Sequence, residues 1–223
     1  DARMPSRPVA PLWRWTLPLA VGATLVGAWA LASATGQFPR GTVPAPAAVA
    51  RAFATELRSG RLLDDIVASL YRVSFGFAIA CAAAIPAGLA LGRSAVARAA
   101  FLPWVNFFRT LSPIAWIPFA IIWFGIGDAP AIFLIFLATF FQVTLATLGA
   151  SAGVPRVYYR VAADLGLSRR QVLLEVTLPA ILPQLLVALR VAIGVAWMVV
   201  VVAEMIAVRS GLGFLIIDAR NGL

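Results

Sequence analysis

AIFLIFLATFFQVTLATLGA, residues 131–150, runs for twenty residues without a charged side chain. A helix needs about 20 predominantly apolar residues to cross roughly 30 Å of hydrocarbon, so this stretch alone is long enough to span a bilayer. A second run, Leu185 to Val208, carries only Arg190 and Glu204 as charges. The composition of the whole chain agrees, with 62% of its 223 residues hydrophobic, 12% charged, and a mean hydropathy of +0.94. Soluble domains carry about 25% charged and about 45–50% apolar residues. That much apolar surface does not fit inside one core, and lipid must be the solvent for much of it.

Charge and cysteine usage narrow the class. The net charge is +9 and all eighteen basic residues are arginine. They sit mainly between apolar runs, where they mark helix ends and loops of a membrane protein, and a nucleic-acid partner is not expected. Cys81 is the single cysteine and lies in an apolar run, so it forms no disulfide within the chain and serves packing. With no histidine, a metal site or histidine-based acid–base chemistry is hard to build.

Outward from residues 131–150 the chain divides into spans and loops. The tail 1–14, with Arg3, Arg7 and Arg14 among prolines, is expected to be disordered or to lie on the surface. A first span is expected from Trp15 to Ala34, with Trp13 and Trp15 at headgroup level. Prolines 39, 44 and 46 break the chain, and Val49, Phe53 and Leu57 recur every four residues to give a short interfacial helix. A second span is expected over Ser69–Leu91, with Gly76 and Gly88 for close helix approach. The third hydrophobic region, Ala99–Phe124, is interrupted by Pro103, Pro113 and Pro118 and predicts a kinked or broken helix. The turn Gly125-Ile126-Gly127-Asp128 leads into the fourth span, where Asp128 is expected to cap. A polar segment from Ser151 precedes the fifth span, and Arg209–Leu223 reads as a loop.

The arginines orient the bundle. With the N-terminus inside, the cytoplasmic segments hold nine arginines and the opposite side six. That bias has the sign of the positive-inside rule. Five spans that start inside finish outside after an unfinished loop, so a sixth helix is expected beyond the C-terminus. The domain reading is a tail, 1–14, followed by one membrane domain, 15–223.

The polar segment 151–179 contains Tyr159-Arg160-Val161-Ala162-Ala163-Asp164-Leu165-Gly166 and ends Glu175-Val176-Thr177-Leu178-Pro179. Val157–Leu165 predicts a short helix, Gly166 a turn with positive φ, and Arg169–Val176 a second helix that Leu178-Pro179 closes before the next span. This pattern resembles the cytoplasmic coupling loop of ABC importer permeases, in which Glu-Ala-Ala is followed by a glycine, an isoleucine and a Leu-Pro pair at fixed spacings. Ala162, Gly166, Leu178 and Pro179 match; Val176 stands for the isoleucine, and Arg160 and Val161 replace the acidic residue and first alanine. Ile122–Gly127, Val202–Ala207 and Gly211–Phe214 extend the resemblance to the nitrate, sulfonate, taurine and bicarbonate branch of these permeases, over roughly residues 11 to 222.

The resemblance implies an all-α polytopic bundle of the type I importer kind that works as a homodimer in the bacterial inner membrane. It implies two cytoplasmic ATPase subunits carrying ATP and Mg, and an external substrate-binding protein. Arg160, Ala162, Ala163, Asp164, Gly166, Val176, Leu178 and Pro179 are then the ATPase-coupling residues. The chain binds no cofactor or metal and is not itself an enzyme, since it has no phosphate-binding loop of its own. Glu204 and Arg109 are the candidates for the translocation path. A carboxylate at a helix centre costs roughly 2.5–3.5 kcal/mol in lipid, so Glu204 must face protein or water, lining the path or pairing with an arginine. A membrane-embedded enzyme would need clustered acid–base residues. A secondary transporter would need paired intramembrane carboxylates and an internal repeat. The sequence shows neither.

Overall fold

The computed structural model describes residues 13–35 and 43–221, with side chains from Thr16 onward in the first stretch. The expectations for the tail 1–14, for the indoles of Trp13 and Trp15, and for Pro39 lie outside the described residues. Among the described residues the secondary structure is entirely helical. The chain forms two compact units, residues 1–62 and 63–223.

The first unit holds α1, Trp13–Ala34, and α2, Pro46–Arg58. Thr16–Ala34 buries nothing within the chain, as suits a helix whose solvent is lipid. The Trp29 Nε1–H donates to the carbonyl of Pro44 at 3.1 Å, which ties the end of α1 to the start of α2. Pro46 sits at the first position of α2, where a missing N–H costs nothing. Val49, Phe53 and Leu57 form an exposed apolar stripe, and α2 has no buried residue.

In the second unit three long helices make the frame: α3, Arg61–Arg93; α6, Asp128–Ala152; and α9, Leu178–Ala207. At 1.5 Å per residue, helices of 33, 25 and 30 residues all exceed the roughly 30 Å of hydrocarbon. The second span therefore starts at Arg61, earlier than the Ser69 expected. The polar residues before Ser69 extend the helix, because Asp65, Ser69 and Arg72 share one face at i, i+4 and i+7. The same face continues through Gly76, Ala80, Ala84 and Gly88, all buried. A Cβ at Gly76 would lie 2.9 Å from Ile135 Cγ2, and one at Gly88 would lie 2.6 Å from the Thr144 carbonyl, so the backbones of α3 and α6 meet where only glycine fits. Val73, Ile135, Ala196 and Val200 fill the centre among the three helices.

The third hydrophobic region breaks, as its prolines predict. Helix α4, Ala95–Thr110, and α5, Ile117–Phe124, are joined by a 3₁₀ turn at Pro113–Trp116 and bend by 89°. Pro103 stays inside α4, and the break falls at Leu111-Ser112, just before Pro113. The bent pair still travels the length of α6. Val105 packs with Leu148, Phe108 stacks on Phe141 at 5.5 Å, and Ile117 and Ala120 pack with Ala131 and Leu134. Counted as one crossing, the bent pair brings the candidate spans among the described residues to five.

Two further boundaries differ from the sequence reading. Leu178-Pro179 was expected to end a helix, but Arg169–Ala207 is continuous. Helix α8, Arg169–Gln171, passes into α9 through a π-helical stretch, Val172–Thr177. The π stretch comes just before Pro179, and such local widening is how membrane helices accommodate a residue that cannot donate. Residues 209–223 were expected to be a loop, yet Leu212–Asn221 forms α10. The helix period there was masked by the two glycines that begin it.

Candidate functional site

Two places concentrate unusual chemistry, at opposite ends of the second unit. The first is built where the N-terminal halves of α3 and α6 meet the C-terminal end of α9. Glu204, in α9, is fully buried. The Ser69 hydroxyl donates to its carboxylate, with Oγ 2.8 Å from Oε1 and 2.9 Å from Oε2. Arg72 Nη1 donates to Oε1 at 2.8 Å, and the Gly213 N–H donates to Oε2 at 2.9 Å. Both carboxylate oxygens are thus satisfied, which is the condition for placing a charge where lipid and protein exclude water.

Arg72 uses the whole of its guanidinium. Nε donates to Asp128 Oδ1 at 2.7 Å, and Nη2 lies 2.7 Å from the same oxygen. Nη1 also donates to the Ser210 carbonyl at 2.8 Å, and Nη2 to the Ser210 hydroxyl at 2.6 Å. The planar fork of arginine reaches α6, α9 and the loop after α9 at once, which a lysine could not do.

The same cluster starts α10. A helix begins with amides that have no partner inside it. Here the Gly211 N–H donates to Asp65 Oδ1 at 2.6 Å, the Leu212 N–H to Ser69 Oγ at 2.9 Å, and the Gly213 N–H to Glu204. Two buried carboxylates at the positive end of the helix dipole also hold it electrostatically. Gly211 adopts φ +104, and a Cβ on it would collide with Glu204 and sit 2.6 Å from Arg72 Nη1. The Gly127 N–H donates to the Ala207 carbonyl at 3.2 Å, which seats the Gly125–Gly127 turn on the end of α9. Three stretches noted separately in the sequence, 122–127, 202–207 and 211–214, therefore converge on one cluster.

Of the path candidates, Glu204 lies in this cluster and Arg109 does not. Arg109 is exposed in the last turn of α4, beside the bend. Asp128, expected as a cap, is the first residue of α6 and pairs with Arg72. Sequence reasoning missed Asp65, Ser69 and Arg72. Their helical spacing was the available signal, hidden because the span was started too late. Arg72, Asp128 and Ser210 border a cavity of about 420 Å³ together with Arg209. Among the described residues no group of His, Cys, Asp or Glu side chains could hold a metal.

The second place is the polar segment between α6 and α9. Helix α7, Arg156–Asp164, ends in a full Schellman motif. The Gly166 N–H bonds the Ala163 carbonyl and the Leu167 N–H the Ala162 carbonyl, both at 3.0 Å, with Gly166 at φ +69. Two residues later Ser168 restarts the helix with a capping box, accepting from the Gln171 N–H while the Gln171 side chain accepts from its own N–H. The turn is specified at both edges. Ala162 is buried and Val176 half-buried, whereas Val157, Tyr158, Val161 and Leu165 are exposed along one side of α7. These residues border an apolar groove of about 320 Å³. Arg160, Ala163, Asp164 and Pro179 are exposed and Leu178 is half-buried. An apolar side turned outward on an amphipathic helix is a surface for a protein partner or for the membrane interface.

Residues 84–223 match the family described as binding-protein-dependent transport system inner membrane component. The chain is 41% identical over 198 residues to a probable ABC transporter permease protein of Brucella melitensis, covering 89% of this chain and 78% of that protein. It is 35% identical over 222 residues to the taurine transport system permease protein of Escherichia coli, covering 95% and 81%. It is 37% identical over 160 residues to the nitrate import permease protein of Leptolyngbya laminosa, covering 72% and 57%.

Proposed function

The chain belongs to the binding-protein-dependent transport system inner membrane components, the permease subunits of ABC importers, and on that premise we propose that it forms the path for a small anion of the nitrate, sulfonate or taurine class. As a permease subunit it is non-catalytic. It works with two cytoplasmic ATPase subunits that carry ATP and Mg, with a second copy of itself, and with an external binding protein. The N-terminus and the 151–179 segment face the cytoplasm.

The observation that carries this reading is α7. Its exposed apolar side, set at a fixed angle to the next helix by Gly166 and Ser168, is a surface for the ATPase. The continuous helix from Arg169 to Ala207 gives that surface a rigid connection to the far end of the bundle. A push on α7 is thereby transmitted to Glu204 and the cluster that holds α3, α6 and α10. Glu204 acts on the path through Arg72, which it positions, and Arg109 stands at the bend of the third span as the charge exposed to the passing anion.

Gly166→Val tests the coupling role. A Cβ there meets nothing within 4 Å, so the substitution acts through its φ, at a backbone cost of roughly 1–3 kcal/mol. The expected result is a chain that inserts and dimerises but fails to retain the ATPase, or retains it without stimulated hydrolysis. Wild-type copurification and coupling would remove this role from the segment. Orientation is checked with Arg169→Cys in a Cys81→Ala background, which should react with an impermeant thiol reagent from the cytoplasmic side alone.

A further inference from the structure

A cavity of about 680 Å³ lies beside α7, at the end of the second unit opposite the ion-pair cluster. Four arginines line it, each brought by a different element. Arg93 is the last residue of α3, Arg98 lies in the first turn of α4, Arg156 opens α7, and Arg169 opens α8. No carboxylate lines the cavity, and among the described ion pairs none uses these arginines. Asp164 and Glu175, acids close in sequence to Arg169, are exposed and do not line it. The N-terminus of α7, which has no side-chain cap, adds its positive end to the same space. Leu89, Val154 and Val172 supply apolar wall.

The four arginines are exposed around this concave space, and like charges gathered there make a positive field that favours an anion. Guanidinium forks arriving from four elements suit a tetrahedral anion with several acceptor oxygens better than a planar carboxylate. The volume falls in the usual range for small-ligand sites and exceeds what a bare phosphate fills, leaving room for an ester group against the apolar wall. We propose that this cavity is a binding site for a phosphate monoester or diester, either the headgroup of an anionic phospholipid or a soluble phosphorylated molecule. The site is distinct from the ion-pair cluster and from the exposed side of α7, and it does not depend on the importer reading. Occupied, it would tie the α3–α4 corner to the base of α7 and so set the stiffness of the coupling segment.

The test uses the full chain, delipidated and placed in nanodiscs of phosphatidylcholine alone or phosphatidylcholine with phosphatidylglycerol. Retained phosphatidylglycerol is counted by native mass spectrometry, and inorganic phosphate and glycerol phosphate are titrated into the phosphatidylcholine discs. Saturable retention of phosphatidylglycerol assigns the headgroup, and saturable binding of the soluble probes assigns the free ester. In either case the double variant Arg98→Gln, Arg169→Gln should bind about tenfold or more weakly, and Arg220→Gln should bind as the parent does. Should the glutamine pair not insert, Arg98→Lys with Arg169→Lys decides, since it keeps the charge and loses the fork; unchanged affinity in that variant overturns the proposal. Equal binding by all variants, no saturable binding of any probe, or protection of these arginines by the ATPase but not by phosphate would also overturn it, the last assigning the cavity to a protein carboxylate.

Discussion

The ion-pair cluster and the α7 segment place their charges and apolar groups in opposite ways. At one end Asp65, Arg72 and Glu204 are buried, and every donor of Arg72 and both oxygens of Glu204 have partners. At the other end Val157, Tyr158, Val161 and Leu165 are exposed although they are apolar. The glycines repeat the contrast. Gly211 is enclosed by Glu204 and Arg72, whereas Gly166 has open space where a side chain would go. A buried charge whose hydrogen bonds are complete holds a structure together; an apolar surface left open on a polar segment is free to meet another surface. Under the proposed function the two ends divide the work, one fixing the helices and the other receiving force.

The largest effect is expected from removing Arg72. Arg72→Ala strands the buried Glu204, while Asp128, 53% exposed, is left to water; losing one partner of a buried pair costs about 3–5 kcal/mol. The permease should lose most of its monodisperse yield and melt far lower in detergent. Near-normal melting would mean that water enters the cluster and that the contrast between the ends is false.

Gly211→Ala comes next, because it combines a φ of +104 with a collision against Glu204 and Arg72. The backbone term alone is roughly 1–3 kcal/mol. Gly166→Ala has the same sign of φ but open space, so it should melt closer to the parent than Gly211→Ala does. Reversal of that order would refute the packing at Gly211. Glu204→Gln keeps the shape and weakens the charge-assisted bonds, with an expected loss of about 1.5–3 kcal/mol. If instead its stability is normal and its transport per folded molecule falls, Glu204 contacts the path directly.

Smaller effects belong to the α7 end. Ser168→Ala removes the capping box and should cost about 1 kcal/mol, seen as faster amide exchange at Arg169–Gln171 with the bundle unchanged. Val161→Asp, on the exposed side of α7, should change stability by no more than about 0.5 kcal/mol. It should nonetheless abolish ATPase copurification. Loss of stability without loss of the ATPase would show that this side packs on the chain itself.

Much of this was legible in the chain. The apolar runs, the broken third span and the helix–Gly166–helix turn follow from composition, proline placement and local turn chemistry, which act over a few residues. Asp65 was left outside the second span, and Ser69 and Arg72, placed within it, show no partner when read one at a time. Their meaning depends on α6 and α9 lying alongside, at Asp128 and Glu204. Residues 209–223 were misread for a related reason: α10 begins on glycines, and its first amides are satisfied by side chains of residues 65, 69 and 204.

The sequence by itself therefore determined that the chain spans a membrane, where its long apolar runs lie and where the turn at Gly166 bends, because hydrophobic length and backbone preference are local properties. Only the tertiary structure decided which charges meet. A carboxylate at position 204 is equally costly in lipid whether it lines a path or caps a helix, and its surroundings rest on Ser69 and Arg72 arriving within 3 Å of it from a distant part of the chain, and on Gly213 from the next helix. The four arginines around the coupling-end cavity follow the same rule, since their spacing along the chain carries no sign that they share one space.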